Sequence, residues 1–417
     1  MSERLQAPRG TFDVLPDQAA ARDAVAHQAQ ELLEAAGYRR IETPAFEPTE
    51  LFARGVGEAT DIVSKEMYSF DDGGGRSLTL RPEGTAPVCR AYAQHGMHKE
   101  PQPVKLWYWS PFFRRERAQA GRYRQFWQVG AEALGSEDPA SDAELIVLLH
   151  TLLEQIGARE LRLRLSSLGS PTTRAEYRGE LQAHLRAHAD RLAQDVRERI
   201  EVNPLRAFDS DHPGTREVMA DAPRLVDRLG DQDAEHFAQV RRLLDVAGVA
   251  YEVDGTLVRG LDYYTRTVFE FTSDALGAQS GVGGGGRYDG LVEALGGPAT
   301  PGVGFAAGVE RMLLAASEQP AAAAPIELFV ALDEGAVRER AFEVLLEARR
   351  AGLRAEMELA GRSLKGQLKQ ADRLGARLVA ILGADGAQLR DMASSEQEPV
   401  EARTLAAAAL RRLREGA

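Results

Sequence analysis

A chain of 417 residues is too long for one ordinary core, so two or three domains are expected. Hydrophobic residues make up 44% and charged residues 27%, the balance of a water-soluble protein, and no run of about eighteen apolar residues offers a membrane span. The single cysteine, Cys89, excludes an internal disulfide and a multi-cysteine zinc site. The opening MSERLQAPRGTFDVLP lacks the apolar stretch of a secretory signal, so a cytoplasmic chain with no membrane partner is expected. A net charge of −12 weighs against a nucleic-acid partner unless positive charge is concentrated locally. Five arginines fall between Arg114 and Arg124, and the segment from Ile326 onward is balanced, with fifteen basic and fifteen acidic residues.

In chain order, the first stretch runs to about Gly157 (1–157) and alternates helical and strand patterns, with long strand-like runs at Lys105–Phe113 and Gln125–Leu134. Residues 158–253 are charged and mainly helical, with turn signals at Asn203-Pro204 and His212-Pro213. Strands and glycines return over 254–316, which closes in an apolar helix, and SEQPAAAAP (317–325) reads as a linker. The last stretch, 326–417, is its own unit: strand Ile326–Leu332, helix Ala336–Ala351, strand Leu353–Leu359, helix Ser363–Gly375 and buried strand Arg377–Gly383. An edge strand over Gln397–Ala402 precedes the final helix, and the alternation suggests a small α/β domain around a largely parallel sheet.

The segment Pro111–Gly135 is the richest in chemistry. Two strand-like arms flank a polar turn containing Gly121, the pattern of a hairpin with a long loop. Alternate residues of a strand share a face. Arg114 and Glu116 are therefore expected together on the first arm, and Arg124, Phe126, Gln128, Gly130 and Glu132 together on the second. Phe113, Val129 and Ala131 fall on the reverse. The bland alternative is a solvated hairpin with one polar face, but such a face seldom centres an aromatic between cations and a carboxylate.

Phe113-Arg114-Arg115-Glu116, a loop, and Arg124-Gln125-Phe126 resemble motif 2 of the class II aminoacyl-tRNA synthetases. The resemblance implies that Arg114 holds the ATP α-phosphate and the amino-acid carboxylate, that Glu116 reaches the adenine amino group, and that Phe126 stacks on the base. Three further segments are similar to the histidyl-tRNA synthetase family. In LTLRPEGTAPVCRAY (Leu78–Tyr92), Glu83 and Thr85 resemble the pair that binds the substrate amino group with Gln128. LVRGLDYYTRTVFEF (Leu257–Phe271) resembles the first histidine signature, which implies a catalytic Arg259 and an imidazole pocket lined by Tyr263 and Tyr264 with Glu132. GVGGGGRYDGLVEALGG (Gly281–Gly297) resembles the second, through Gly285-Gly286-Arg287-Tyr288-Asp289, and adds Tyr288 to the histidine-binding set. PGVGFAAGVERM (Pro301–Met312) resembles motif 3, with Arg311 facing the ATP γ-phosphate.

The family resemblance implies an α+β catalytic domain of the class II type, an antiparallel sheet flanked by helices, carrying a helical insertion and followed by a C-terminal α/β anticodon-binding domain. It further implies histidine activation by ATP with Mg²⁺, transfer to tRNA(His), and a homodimer formed through the motif 1-like segment Thr43–Gly57. Arg117, Gln119, Arg122 and Arg124 would form the loop that meets the tRNA acceptor end. The loop departs from the usual pattern at Ala118 and Ala120, where the family carries Pro and Lys. Trp127 and Ser166 are further departures.

Bland readings stand beside several of these. Gly281–Gly286 formally fits a dinucleotide fingerprint, but no clear strand-helix-strand context accompanies it. A Tyr263-Tyr264 pair alone is more often filler than a pocket. His184 and His188 have metal-ligand spacing on a helix, yet without a cysteine or HExxH context they read as a solvated face and no protein metal site is assigned. Two other functions remain open: a synthetase-like regulatory subunit of histidine biosynthesis, and a class II synthetase for another amino acid.

Overall fold

The computed structural model describes residues 4–57, 60–117, 119, 121–257, 261–317, 325–384 and 386–415. They fall into two compact units, residues 1–322 and 323–417.

The first unit is built on an eight-stranded sheet. Its spatial order is β1 (Arg39–Arg40), β5 (Val104–Phe113), β6 (Gln125–Leu134), β11 (Gly302–Gly308), β10 (Gly281–Arg287), β9 (Thr265–Ser273), β7 (Leu161–Ser167) and β8 (Glu252–Val253). From β5 to β7 every neighbouring pair is antiparallel, whereas the two-residue edge strands β1 and β8 pair in parallel. A sheet whose faces are both covered can bury both sets of alternating side chains. One face presents Trp107, Val129, Ala131 and Ala133 to α1 (Pro16–Ala35) and α4 (Pro139–Gln155). On α1 the buried residues Ala21, Val25, Ala29 and Leu33 recur at the four-residue spacing of one helical stripe. The other face carries Leu106, Tyr108 and Phe112 against α3 (Thr85–Gln94) and the short α9 (Leu291–Ala294). That face holds the candidate site. Beside it, β2 (Phe46–Pro48), β4 (Ser77–Leu80) and β3 (Tyr68–Asp71) make a small antiparallel sheet next to α2 (Thr49–Val56), and α10 (Val309–Ala315) follows β11 directly.

The mainly helical stretch begins and ends in this sheet, since β7 and β8 pair into it, and Phe237, Val240 and Leu244 of α8 (Asp231–Ala247) join its core. Between them, α5 (Pro171–Ala187), α6 (Gln194–Arg199) and α7 (Pro213–Ala220) enclose a separate core of Tyr177, Leu181, Leu185, Val196 and Val218. His184 and His188 are half-buried there and not a solvated face. The His184 ring meets the Val218 carbonyl at 2.9 Å and the His188 ring meets the His184 carbonyl at 2.9 Å. Among the described residues no cluster of three His, Cys, Asp or Glu could hold a metal, and no helix is long and apolar enough to cross a membrane.

The second unit has a five-stranded sheet in the order β13 (Ala355–Met357), β12 (Leu328–Leu332), β14 (Leu378–Leu382), β15 (Ala387–Asp391) and β16 (Gln397–Val400), with α11 (Arg338–Arg350), α12 (Leu364–Arg373) and α13 (Leu405–Glu415). β13, β12 and β14 are parallel, but β15 and β16 are antiparallel, so the expected largely parallel sheet is so only in that half. Strand β15 has no β-branched residue, and its pairing with β14 rather than its propensity makes it a strand.

Arg287, at the end of β10, fastens the large sheet to α4. Its guanidinium is fully buried and donates to the Asp142 carboxylate, the Ser136 carbonyl (2.8 Å) and Asp289 (3.2 Å), while His236 of α8 lies 3.3 Å from Asp142. Burial pushes the Asp142 carboxyl up, but His236 and Arg287 outweigh it and hold the group below its ordinary value. Removing one partner leaves the other charge buried alone, so Asp142→Ala is expected to cost about 3–5 kcal/mol in urea unfolding. Because the folded carboxyl is depressed, the contribution is present above the ordinary carboxylate range and is lost as pH falls through the folded value. A cost under about 1 kcal/mol in the urea titration would show that the pair does not anchor the sheet.

Candidate active site

The site grows from the front face of β6. Phe126, Gln128, Gly130 and Glu132 alternate along this strand, while Val129 and Ala131 enter the core behind it. Glu132 is completely buried, opposite Leu106 on β5 and Gly304 on β11. A buried carboxylate needs donors. Thr85 supplies one at 2.8 Å, Tyr288 another at 2.5 Å, and the Tyr108 hydroxyl stands at 3.4 Å. Desolvation still dominates and pushes Glu132 up to about 8. The room for this cluster comes from glycine. A methyl carbon at Gly304 would fall 1.7 Å from the Glu132 carboxylate, one at Gly130 2.2 Å from the Tyr108 ring, and one at Gly302 2.3 Å from the Tyr288 ring.

Glu83 precedes α3, and its carboxylate accepts the backbone N–H groups of Thr85 (2.8 Å) and Ala86 (3.1 Å) at the helix start. Burial pushes it up to about 7, against those hydrogen bonds and the nearby Arg114. Glu83, Thr85 and Gln128 line one cleft with Phe126 and Arg114. The side-chain oxygen of Gln128 is buried there without a hydrogen-bond partner among the described residues, an acceptor waiting for an N–H donor. Tyr263, Tyr264 and Tyr288 line the same cleft; Tyr263 makes edge contacts with Tyr264 (4.8 Å between centroids) and Tyr288 (5.8 Å). Glu132 is not on the cleft wall. It lies behind, reached through the hydroxyls of Thr85 and Tyr288.

The cations are held by backbone carbonyls. Arg114 donates to the Pro82 carbonyl at 2.9 Å and lies 5.4 Å from the centre of the Phe126 ring. Arg311, on α10, donates to the carbonyls of Gly121 (3.2 Å) and Gly281, tying the hairpin loop to β10. Glu116 pairs with Arg122 at 3.4 Å and lies 3.7 Å from Arg114. Arg114 and Glu116 both line the cleft, as expected of residues that share a face, although the β5–β6 ladder ends at Phe113–Gln125. Beyond it the chain turns onto another support: the Arg115 N–H donates to the Glu66 carbonyl at 2.7 Å, and its guanidinium donates to the Lys65 carbonyl at 3.0 Å. Arg124 likewise precedes β6 and donates its amide to the Gly10 carbonyl at 2.7 Å. Arg117, Gln119 and Arg122 are exposed, with Gln119 and Arg122 closing a turn through their backbones. Arg259, Ala118 and Ala120 lie outside the described residues.

Sequence reasoning overlooked four contributors. Glu270 on β9 and Tyr123 line the cleft, and Tyr123 packs on Phe12 at 4.5 Å. Tyr108 closes the hydroxyl cluster on Glu132. Glu310 accepts the Trp127 amide at 3.1 Å and pairs with Arg22 of α1, holding α10 against β6. The available signal was the glycine opposite each bulky group, Gly130 for Tyr108 and Gly284 for Glu270. Gly281–Arg287 itself is an antiparallel strand between β9 and β11, which is not the context of a dinucleotide loop.

Such a cleft can hold a flat ring on Phe126, oxyanions on arginines and a small ammonium on Gln128 and Glu83. A family model described as Histidyl-tRNA synthetase matches residues 10–312, and one described as Anticodon binding domain matches residues 328–412. A histidine–tRNA ligase of Halorhodospira halophila is 51% identical over 385 residues, covering 91% of this chain and 90% of its own. One from Desulforamulus reducens is 47% identical over 407 residues, covering 95% and 97%. The solved structure of apo S. aureus histidyl-tRNA synthetase matches with a TM-score of 0.81 at 36% identity, over 97% of this chain and 99% of that one. A Bacillus halodurans chain described as an ATP phosphoribosyltransferase regulatory subunit/histidyl-tRNA synthetase matches at 22% identity and a TM-score of 0.66, over 92% and 99%, a likeness of fold alone. Matched by that model over most of its length and about half identical to such relatives nearly end to end, the chain belongs to the histidyl-tRNA synthetase family.

Proposed function

We propose that the protein charges tRNA(His) with L-histidine at the expense of ATP. The observation that carries this reading is the unpartnered Gln128 oxygen beside Glu83, in a cleft that also holds Arg114, Phe126 and Arg311. In the first step a histidine carboxylate oxygen attacks the α-phosphorus of ATP, and the bond to pyrophosphate breaks. The carboxylate is already ionised at neutral pH, so no general base is needed. In the second, the terminal ribose 3′-hydroxyl attacks the histidyl carbonyl and AMP leaves.

The residues divide the work as follows. Arg114 bridges the α-phosphate and the substrate carboxylate, Arg259 joins it there, Arg311 meets the γ-phosphate, and Phe126 and Glu116 hold adenine. Glu83, Thr85 and Gln128 take the α-ammonium. Tyr263, Tyr264 and Tyr288 enclose the imidazole, and Glu132 in its ionised form sets its recognition by drawing the protons of Thr85 and Tyr288 inward, so that their oxygens can accept an imidazole N–H. Glu270 is a cleft carboxylate that would hold a Mg²⁺ carried in by the nucleotide, and the cation would supply neutralisation of charge on the phosphates. Arg117, Gln119, Arg122 and Arg124 meet the acceptor end. The domain division follows: a catalytic part over 1–157 and 254–316, the insertion over 158–253, a linker at 317–325, and an anticodon-binding unit over 326–417.

Pyrophosphate exchange with ATP, offered each amino acid in turn without tRNA, tests this reading. Histidine alone is expected to support exchange, and Arg114→Ala to lower the rate by about 10²–10³. Exchange with no amino acid by folded protein would instead favour the regulatory-subunit alternative. Because ionised Glu83 attracts the ammonium and its carboxyl sits at about 7, the KM for histidine is expected to fall as pH rises from about 6.5 to about 8. Glu83→Gln should flatten that profile, and an unchanged slope would remove Glu83 from the site. A homodimer is supported by Phe46 and Phe70, exposed side chains in edge-on contact at 6.1 Å on the motif 1-like sheet. Sedimentation should then give twice the 45.4 kDa chain mass, and Phe46→Asp should shift it to the monomer.

A further inference from the structure

Two of the tyrosines that line the cleft, Tyr263 and Tyr264, stand on residues 261–264, a stretch outside any strand or helix. Because it has no ladder of its own, its shape depends on what grips it. On one side the Asp262 N–H donates to the Val56 carbonyl at 3.2 Å, where α2 ends. Gly57 leaves space there, since a side-chain carbon at that position would lie 2.9 Å from the Asp262 carboxylate.

The other side is held by the helical insertion. Arg174, in the first turn of α5, donates through one guanidinium nitrogen to the Tyr264 carbonyl (2.7 Å) and the Asp262 carbonyl (3.2 Å), so its grip brackets Tyr263. The helix bearing Arg174 is itself fixed. One oxygen of the Asp233 carboxylate accepts the Ser170 N–H at 2.7 Å, at the cap of α5, and the other accepts Arg266 at 3.0 Å. Arg266 has a left-handed backbone, φ 46°, which a non-glycine residue keeps only where its surroundings enforce it. Backbone bonds do so: Arg266 donates to the Gly169 carbonyl (2.9 Å), and Leu168 donates to the Arg266 carbonyl (2.7 Å). Both ends of the tyrosine stretch are thus tied to residues 168–174.

We infer that Arg174 is a positioning residue for amino-acid recognition. It sets the backbone of residues 262–264 and through it the cleft-facing tyrosines, while its own side chain lines a separate small cavity behind them. The mainly helical stretch therefore contributes to the amino-acid pocket as well as to whatever it binds outside. Arginine suits the task because one planar, permanently charged group can satisfy two carbonyls at once. The inference rests on the proposed histidine reading of the cleft.

Histidine-dependent pyrophosphate exchange without tRNA tests it. Arg174→Ala is expected to raise the KM for histidine about tenfold, with kcat and the KM for ATP within about twofold. Arg174→Lys, whose ammonium can also donate to both carbonyls, should recover most of the loss. An unchanged histidine KM in Arg174→Ala, with the wild-type chain exchanging normally, overturns the inference and leaves the histidine reading intact. So does a parallel worsening of kcat and both KM values, the pattern of general disruption. Absent exchange by the wild-type chain overturns both. If Arg174→Ala does not fold, Asp233→Asn loosens the same helix and Arg266, and an unchanged histidine KM there overturns the inference equally.

Discussion

Taking a carboxylate out of water costs several kcal/mol unless hydrogen bonds replace its hydration. Glu132 is placed at the centre of the front face under that constraint, and much of the site's architecture answers it. Three hydroxyls are aimed at it from α3, β5 and the end of β10. Each needs a bulky or branched residue in a crowded layer, so glycines at 84, 130, 302 and 304 clear the space. The end of β10 that delivers Tyr288 is in turn anchored by Arg287 on Asp142, so the packing of α4 and α8 behind the sheet reaches the polar cluster in front. Stability and recognition share one scaffold.

The cationic side of the cleft follows a different logic. Arg114 and Arg311 are oriented by the carbonyls of Pro82, Gly121 and Gly281, with the Glu116 carboxylate 3.7 Å from Arg114. Carbonyl dipoles hold the guanidiniums in place beforehand, the kind of arrangement that lowers reorganisation when negative charge moves during a reaction.

The parts of this arrangement that repeat with a local period were legible in the sequence. The alternation of Gln125–Leu134 announced both the strand and the face on which Phe126 and Gln128 stand, and the similarity of short motifs located the tyrosine stretch and Arg311. What escaped depends on non-local pairing. The segment that bears Arg114 and Glu116 rests through Arg115 on residues 65–66, some fifty positions back in the sequence, because the ladder stops at Phe113. Glu132 was expected on the pocket wall, whereas its register opposite Gly304 lets it sink behind the hydroxyls. Tyr108, Glu270 and Glu310 gain meaning only from partners on other strands. The five-residue β15 carries almost no propensity signal and exists because β14 offers it an edge.

The close quarters of the central strands also bear on how far the substrate range could be altered. A carbon added at Gly283 would sit 2.6 Å from the Ala307 side chain, and one at Gly304 1.7 Å from the Glu132 carboxylate, so this part of the cleft lining has no room for a side chain between its strands. At these glycines the lining cannot be trimmed further, nor filled without parting the sheet. Redesign toward larger or smaller amino acids therefore has a more open direction. It is the wall formed by Tyr263 and Tyr264, which belongs to no strand, so that size can change there without breaking a ladder, and a directed library would be aimed at that wall and its supports.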